Sequence, residues 1–453
     1  MSAPAERRRA FSRRSLLRGG LGAAAAVGVA AGTSGCSSAL SAGLVGTPLA
    51  PDTVTYWNLF GGGDGARMQT MQSAYEAAHG GPSALQAATF TWGNPYYTKV
   101  SLATLGGAPP DVAVSHLTRE GNLAQAGLLT EISDDMLTAV GLAPSDFNQT
   151  AWESQKVDGK TYAIPIDTHP FVLYYDVDIC DKADLVNSDG SLKTITGQDG
   201  WESALKAAKE VTGAYGASVS TIADTATSWR WFQTLYSQQN GSTPWLADGG
   251  QKLTYDEDLT LSTLTWIQKL VKDGLMPANA DYAGAETMWF TGKSAFYLEG
   301  EWEITTAQAV DGLNFSMAPI PTMFDKQAEQ GDSHTFVLPR SDRTDAQTQR
   351  AMGFIKSMLD QSLTWAKGGH IPAYLPTLNS TAYQDLKPQS NYAAAADTVV
   401  YDASAWYSGS GSNFENIVGA QIGLVQQGLA TPQRALADAR SQLVTLANTK
   451  SPL

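Results

Sequence analysis

The sequence predicts an α/β protein of two lobes whose sheets are mainly parallel. Short segments rich in β-branched and aromatic residues alternate with longer helical segments, and glycine or proline separates them. The chain of 453 residues also exceeds the size at which a single hydrophobic core stops growing. No segment repeats with a period of about 20–50 residues, which argues against a solenoid.

Residues 1–35 are predicted to be an export signal rather than part of the fold. Six arginines between Arg7 and Arg18 precede an apolar run from Leu21 to Ala31. That run is about half of the ~20 residues that cross a bilayer, so it fits a signal peptide better than a membrane anchor. Residues 12–18 resemble a twin-arginine signal, and several arginines also suit ordinary Sec export.

Thr33-Ser34-Gly35-Cys36 resembles a bacterial lipobox, in which small residues precede a cysteine that receives a lipid. We therefore expect a protein that is exported and tethered by Cys36 to the outer face of the cytoplasmic membrane. Residues 36–50, rich in Ser, Gly and Ala, would form a flexible tether. Cys180 would remain the only free thiol, so no intramolecular disulfide is expected.

The formal net charge is −14, and it becomes more negative once the six arginines and one glutamate of residues 1–35 are removed. An acidic body offers no footprint for nucleic acid or anionic lipid. Gly61 to Gly65 precede a helix but lack the Gly-Lys-Ser/Thr ending of a phosphate loop, and Asp64 would repel phosphate. Neither a nucleotide nor another cofactor is expected.

The predicted elements follow one another as strand, glycine-rich loop and helix. The strands are predicted at 54–57, 111–114, 162–165, 171–175 and 335–338. The helices are predicted at 66–79, 201–212, 259–273, 346–359 and 431–447.

Five segments, in order along residues 52–447, carry motifs of one known family. They are Val54–Asn58 before the glycine-rich loop, Tyr96–Lys99 with Gly107–Val112, Asp158–Pro165, Gly292–Trp302, and Trp365 with Gly369–Pro372. Together they resemble the family-1 extracellular solute-binding proteins, the sugar-binding subunits of ABC importers that include maltose-binding protein. Residues 158–165, DGKTYAIP, form the most specific of these motifs.

The resemblance implies the periplasmic-binding-protein fold, a monomer with its ligand in a cleft between two lobes. The family's chain path implies an N-lobe of residues 51–168 plus 316–368 and a C-lobe of residues 169–315 plus 369–453. It also implies that lobe closure captures a sugar or oligosaccharide, which ABC permease subunits then receive. A glycerophosphodiester or another polar solute is the main alternative, because one fold can serve either ligand.

A sugar needs aromatic rings for its C–H faces and polar side chains for its hydroxyls. Such residues gather at predicted strand ends and crossovers, where α/β sheets bind ligands. The resemblance favours Asp167 and His169 of a DTHP segment, and it favours Trp302, beside which Gly300 permits close backbone approach. The candidate ligand-binding residues are Trp57, Asn58, Phe60, Asp64, His116, Asp167, His169, Trp289, Glu299, Glu301, Trp302, His334 and His370.

An enzyme is not expected. Glycoside hydrolysis needs two carboxylates on opposite sides of the scissile bond. Glu299 and Glu301 are two residues apart and would share one face of a strand. No zinc motif, nucleophile elbow or Cys/His pattern occurs in the sequence.

A metal site is not expected either. Four of the five histidines, His116, His169, His334 and His370, fall at predicted strand ends or crossovers. They are spread over about 250 residues, however, and this matches no spacing of metal ligands.

Overall fold

The structure is a computed structural model that describes residues 50–452. The predicted export signal, the lipidation of Cys36 and nearly all of the predicted tether therefore lie outside the described residues. Within the described part of the chain, no helix combines the length and apolar character needed to cross a membrane.

Strands and helices alternate along the chain, as predicted. Sixteen strands within residues 50–452, numbered β1 to β16 in chain order, are Val54–Asn58, Leu85–Thr89, Val112–His116, Lys156–Val157, Lys160–Thr161, Ala163–Pro165, Asp167–Asp176, Ala217–Ser218, Leu246–Ala247, Lys252–Leu253, Phe296–Gly300, Phe315–Pro319, Glu329–Asp332, His334–Val337, Ile371–Pro372 and Val399–Val400.

The helices of the same region are numbered in the same way. Those numbered α1 to α18 are Gly62–Ala78, Asn94–Leu105, Leu117–Gln125, Asp134–Ala139, Gln149–Ser154, Val177–Lys182, Gly197–Thr212, Thr225–Ser237, Glu257–Lys272, Tyr282–Phe290, Ile304–Gln308, Asp345–Asp360, Ser362–Ala366, Leu375–Leu378, Thr381–Gln384, Ala395–Thr398, Asn413–Gln426 and Pro432–Ala447.

Helix starts follow local sequence chemistry. Thr344 begins α12 with a capping box, because its hydroxyl accepts from the Gln347 N–H at 3.3 Å and the Gln347 side chain accepts from the Thr344 N–H at 2.9 Å. Helix α1 begins at Gly62, four residues before the predicted start, and this places Asp64 in its first turn. A carboxylate there is favoured by the helix dipole.

The first sheet has the strand order β2-β1-β3-β14-β6. Strand β1 runs parallel to β2 and β3, whereas β14 runs antiparallel to β3 and β6. Its core includes buried side chains of β1, β3, β6, β14 and α12. Thus a strand from late in the chain lies between two strands from the first 170 residues.

The second sheet is built around β7, a strand of ten residues of which nine are buried. Strands β11, β12, β13 and β15 all pair with β7 in the antiparallel direction, and β8 and β16 extend the sheet. A second and a third core cluster lie against this sheet. The two sheets with their separate cores form the two predicted lobes.

Two details of the predicted architecture differ from the structure. The sheets are mixed rather than mainly parallel, because β7 and β14 each run antiparallel to every strand they pair with. Residues 316–332 were assigned to the N-lobe, but β12 and β13 hydrogen-bond to β7 of the second sheet. The other lobe boundaries stay predictions.

The chain passes between the two sheets three times. The passages lie between β6 and β7, between β13 and β14, and between α13 and β15. The first two are one residue long, Ile166 and Ser333, so the residues on either side are forced close together. Several of the predicted site residues meet at this seam between the lobes.

Candidate functional site

Four histidines that the sequence places far apart converge at the seam. His116 ends β3, His334 begins β14, His169 lies in β7 and His370 immediately precedes β15. The rings of His169 and His334 stack with centroids 4.2 Å apart, and His334 lies 4.9 Å from His116 and 5.5 Å from His370. All four are buried.

The carboxylate of Asp167 contacts His169, His334 and Trp365 in this cluster. His334 donates its backbone N–H to Oδ1 of Asp167, and the Nδ1 of His334 lies 2.8 Å from Oδ2. Trp365 donates its indole N–H to the same Oδ2 at 2.5 Å, and the Nδ1 of His169 lies 3.1 Å from Oδ1. Burial acts to raise the pKa of Asp167, but His334 and His169 outweigh it and hold this pKa well below its usual value.

His370 is surrounded by carboxylates. Its Nε2 lies 3.0 Å from Asp64 Oδ1, and its Nδ1 lies 3.0 Å from Glu301 Oε1 and 3.4 Å from Asp167 Oδ2. Burial acts to lower the pKa of His370, but these carboxylates raise it well above the usual value. Trp365 stacks flat on the imidazole at 4.3 Å. Carboxylates from both lobes therefore surround the buried imidazole of His370.

The imidazoles of His116 and His169 are neutral at pH 7. Burial lowers the pKa of His169 to about 3 and that of His116 well below its usual value. The Nδ1 of His116 lies 2.7 Å from the hydroxyl of Tyr97. A neutral imidazole offers one donor and one acceptor, which is what a hydroxyl group requires.

Burial raises the pKa of Glu301 to about 7, with His370 acting in the opposite direction. Both of its carboxylate oxygens are buried and have no aligned hydrogen bond among the described residues. Asn58 is similar, because its Nδ2 has no hydrogen-bond partner there, while its Oδ1 accepts from the Phe60 N–H at 3.1 Å. Such groups favour a polar ligand, because leaving them unsatisfied costs about 1–3 kcal/mol each.

Trp302 is the aromatic platform of the site. A Cβ added at Gly300 would come within 2.0 Å of the indole ring, so only glycine allows the ring to lie there. The indole N–H donates to the Tyr282 hydroxyl at 3.0 Å, and the Arg230 guanidinium lies 4.9 Å from the ring centroid. The glycine thus makes room for the indole ring, whereas the close backbone approach expected from the sequence stays a prediction. The His169 ring is 6.1 Å away, so the platform adjoins the histidine cluster.

The remaining aromatic candidates line the first lobe. Phe60 packs on the rings of His334 and Trp365, at 4.8 and 4.7 Å. Trp57 is partly buried and packs edge-on against Phe90 at 4.8 Å. Phe60 therefore flanks the cluster, whereas Trp57 has its ring contact with Phe90.

Trp289 does not join the site. It is fully buried in the third core cluster, where it packs on Tyr174, Tyr297 and Phe315. Its indole N–H donates to the carbonyl of Ala295 at 3.3 Å. The prediction of a stacking face there was wrong, because helix α10 turns this side chain inward onto the second sheet.

Glu299 and Glu301 do not share a face. Strand β11 ends at Gly300 and a 3-10 turn begins at Glu301, which breaks the alternation that the prediction assumed. Glu299 accepts from the Thr227 hydroxyl at 2.7 Å, whereas Glu301 faces His370. Burial raises the pKa of Glu299 to about 8.

Sequence reasoning missed Arg230 and Tyr282, which hold Trp302. Arg230 lies between Trp229 and Trp231 in α8, and it also approaches Glu415 at 3.8 Å. A single basic residue in a helix with buried aromatic residues on both sides was an available signal. Trp365 was noted as a motif residue only, and its bond to Asp167 spans 198 positions.

Residues 70–396 match a family described as bacterial extracellular solute-binding protein. A maltooligosaccharide ABC transporter solute-binding lipoprotein of Streptococcus pneumoniae is 24% identical over 295 residues. The match covers 61% of this chain and 62% of that protein. The chain therefore spans about three fifths of the length of this relative.

Solved structures give the same picture at the level of the fold. The cyclic α-maltosyl-1,6-maltose binding protein of Arthrobacter globiformis is 21% identical, with a TM-score of 0.68 over 88% of this chain and 99% of that one. The GacH receptor of Streptomyces glaucescens is 18% identical, with a TM-score of 0.70 over 88% and 99%. MalE of Xanthomonas citri is 16% identical, with a TM-score of 0.70 over 87% and 97%. These structures share the two-lobe fold.

Proposed function

The chain belongs to the bacterial extracellular solute-binding proteins, and we propose that it binds a sugar or oligosaccharide at the seam and delivers it to ABC permease subunits. The family resemblance predicted from the sequence is confirmed by the match over residues 70–396. The pneumococcal relative is named for maltooligosaccharide, and the Arthrobacter protein is named for binding cyclic α-maltosyl-1,6-maltose. These names support a carbohydrate ligand for this chain.

The placement of Trp302 is the observation that carries the proposal. Its indole lies against Gly300, is partly exposed, and adjoins the neutral imidazole of His169. An aromatic face beside neutral donors and acceptors fits both surfaces of a sugar. The unpartnered Nδ2 of Asn58 and carboxylate of Glu301 supply further polar atoms.

The contacts across the seam support a mechanism of lobe closure. Asp64 belongs to helix α1 of the first lobe, whereas Glu301 follows β11 of the second, and His370 contacts both. A ligand that touches residues of both lobes binds the closed state more tightly than the open state and so shifts the population toward closure. The permease subunits would recognise that closed form.

A glycerophosphodiester fits this site less well. Asp64, Asp167 and Glu301 all lie within 3.4 Å of His370, so the single imidazolium is already surrounded by carboxylates. A phosphate would add a further negative charge to this group, which like-charge repulsion disfavours.

The proposal includes no catalysis. The homologues found are solute-binding proteins. Glu299 is engaged by Thr227 and Glu301 faces His370, so the two carboxylates have separate partners. This arrangement does not supply the paired acid and nucleophile of a glycosidase.

We also propose that the protein is exported as a monomer, by the twin-arginine or the Sec route, and is tethered through a lipid on Cys36. The sequence Thr33-Ser34-Gly35-Cys36 and the lipoprotein name of the pneumococcal relative support this. Metabolic labelling with a fatty-acid analogue tests it: wild type should be labelled and Cys36→Ser should not.

The ligand is tested by titration calorimetry of the mature protein with maltose, maltotriose and larger maltooligosaccharides. At least one should bind wild type, and Trp302→Ala should weaken that binding at least tenfold, because the stacking face is lost. Stacking of about 0.5–1.5 kcal/mol corresponds to about 2- to 13-fold, and the lost burial of apolar ring surface adds to it.

Trp266→Ala is the matched control. Trp266 is a second-lobe tryptophan on α9 that bonds to Glu202 and packs on Phe324. This variant should lose stability and keep the wild-type affinity, so it separates folding from binding. Equal affinities of the Trp302→Ala variant and wild type would remove Trp302 from the site, and glycerophosphodiester binding without sugar binding would reverse the ligand assignment.

A further inference from the structure

Four side chains with metal-ligating atoms converge at the seam. One such atom from each of Asp167, His169, His334 and His370 lies within 4.8 Å of the atoms from the other three. All four residues are buried, with His334 the most exposed at 6%. Three imidazoles and one carboxylate form a ligand set that suits zinc. With bonds of about 2 Å, tetrahedral ligand atoms stand roughly 3.3 Å apart, so small side-chain rotations would complete the site.

A buried ring nitrogen of His370 faces this group. The Nδ1 of His370 is fully buried and has no aligned hydrogen bond among the described residues. It lies 3.4 Å from Asp167 Oδ2 and 3.0 Å from Glu301 Oε1, so it faces two carboxylates at once. The oxygens of Glu301 also lack an aligned hydrogen bond there. A metal ion bound by Nδ1 of His370 and Oδ2 of Asp167 would displace the proton of the imidazole and take its place beside the carboxylates.

The surrounding residues have the arrangement of a second coordination shell. Histidines that bind a metal through one ring nitrogen usually donate the other N–H to a carboxylate. Asp64 Oδ1 lies 3.0 Å from Nε2 of His370, on the opposite side of the ring from Nδ1. Trp365 and the backbone N–H of His334 donate to Asp167 and fix the orientation of its carboxylate.

We propose that Asp167, His169, His334 and His370 bind one divalent transition-metal ion of the zinc type, with Asp64 orienting His370. Three of the four residues are histidines, and their spacing in the sequence had argued against a metal site. That spacing rule applies to ligands on one local element, whereas here each of the three connections between the lobes supplies at least one ligand. A bound ion would therefore join all three connections, independently of any sugar.

The test is calorimetric titration of zinc chloride into the chelator-treated mature protein in the absence of sugar. A Cys36→Ser background removes the tether thiol, and the remaining thiol, Cys180, is buried. One zinc ion should bind per chain, and zinc should raise the unfolding temperature by mass action. Cobalt bound in its place should show the visible absorption of a tetrahedral site. Wild-type protein that binds no zinc, or shows no shift, overturns the proposal without any variant.

Variants identify the ligands. His169→Ala and His334→Ala should each weaken zinc binding by more than ~100-fold, and Asp64→Asn should weaken it by about 10–100-fold. His79→Ala is the matched control, because the fifth histidine stacks on Tyr75 at the end of α1, outside the cluster. Circular dichroism verifies that each variant is folded. The ion would lie elsewhere if folded His169→Ala and His334→Ala variants bound zinc as wild type does. A loss of zinc binding in His79→Ala would lead to the same conclusion.

Discussion

Replacing Gly300 by alanine should displace Trp302 and weaken both the fold and ligand binding. The added Cβ would meet three atoms of the indole ring at 2.0, 2.0 and 2.3 Å. Non-bonded carbon atoms prefer separations of about 3.5 Å, so the ring must move by roughly 1.5 Å. The backbone is not the obstacle, because Gly300 has φ −70 and ψ 157, which any residue adopts.

The magnitude follows from the contacts that this movement breaks. The Trp302 N–H bond to Tyr282, now 3.0 Å, is worth about 0.5–1.5 kcal/mol. The Arg230 guanidinium over the ring, 4.9 Å from its centroid, contributes about 0.5–1 kcal/mol. We expect the free energy of unfolding to fall by roughly 1–2.5 kcal/mol. The misplaced stacking face should weaken sugar binding by up to about tenfold.

Urea denaturation gives the stability, and titration calorimetry with the sugar that binds wild type gives the affinity. Gly353→Ala is the matched control, because a Cβ there meets nothing within 4 Å in the middle of helix α12. It should gain roughly 0.5–1 kcal/mol of stability from helix propensity and leave the affinity unchanged. If Gly300→Ala matched wild type in both measurements, the claim that this glycine positions Trp302 would be refuted.

Two further predictions concern positions outside the cluster. Asp111→Ala should lower the free energy of unfolding by about 1–3 kcal/mol, because Oδ2 accepts from both the backbone N–H and the hydroxyl of Thr55, at 2.9 and 2.8 Å; an unchanged urea midpoint would contradict this. Burial raises the pKa of Glu329 to about 7, so the unfolded chain loses this proton at a lower pH than the folded chain does. Between pH 4.5 and 7 the free energy of unfolding of wild type should therefore fall by up to roughly 3 kcal/mol because of this group. Glu329→Gln should remove that loss. If the urea midpoints of wild type and Glu329→Gln changed equally from pH 4.5 to 7, the assignment of the loss to Glu329 would be contradicted.

Local sequence patterns predicted the elements well. The strand at 54–57 and the helices at 201–212 and 431–447 occur within a few residues of their predicted bounds. His116, at the end of a predicted strand, lies beside His169 and His334 at the seam, and the ligand-binding role expected for such strand-end residues stays a prediction. These predictions needed only the neighbours of each residue in the chain.

The partners of those residues could not be predicted in the same way. The ring of His334 contacts Asp167, which lies 167 positions away in the chain. This contact forms because β14 pairs with β6, and the sequence alone does not reveal that pairing. Trp289 looked like a platform because tryptophan suits sugars, but the packing of α10 on the second sheet decided its place. Glu301 was misread for a different reason, since the end of β11 at Gly300 breaks the strand alternation.

The position of β14 in the first sheet has a consequence for synthesis on the ribosome. Strands β3 and β6 each pair with β14, whose residues are made roughly 170 positions after those of β6. At about 5–20 residues per second, the nascent first lobe waits on the order of 10–30 s with these strand edges unpaired. Unpaired edges template wrong associations between chains. We therefore expect the discontinuous first lobe to depend on chaperone protection while the rest of the chain is synthesised.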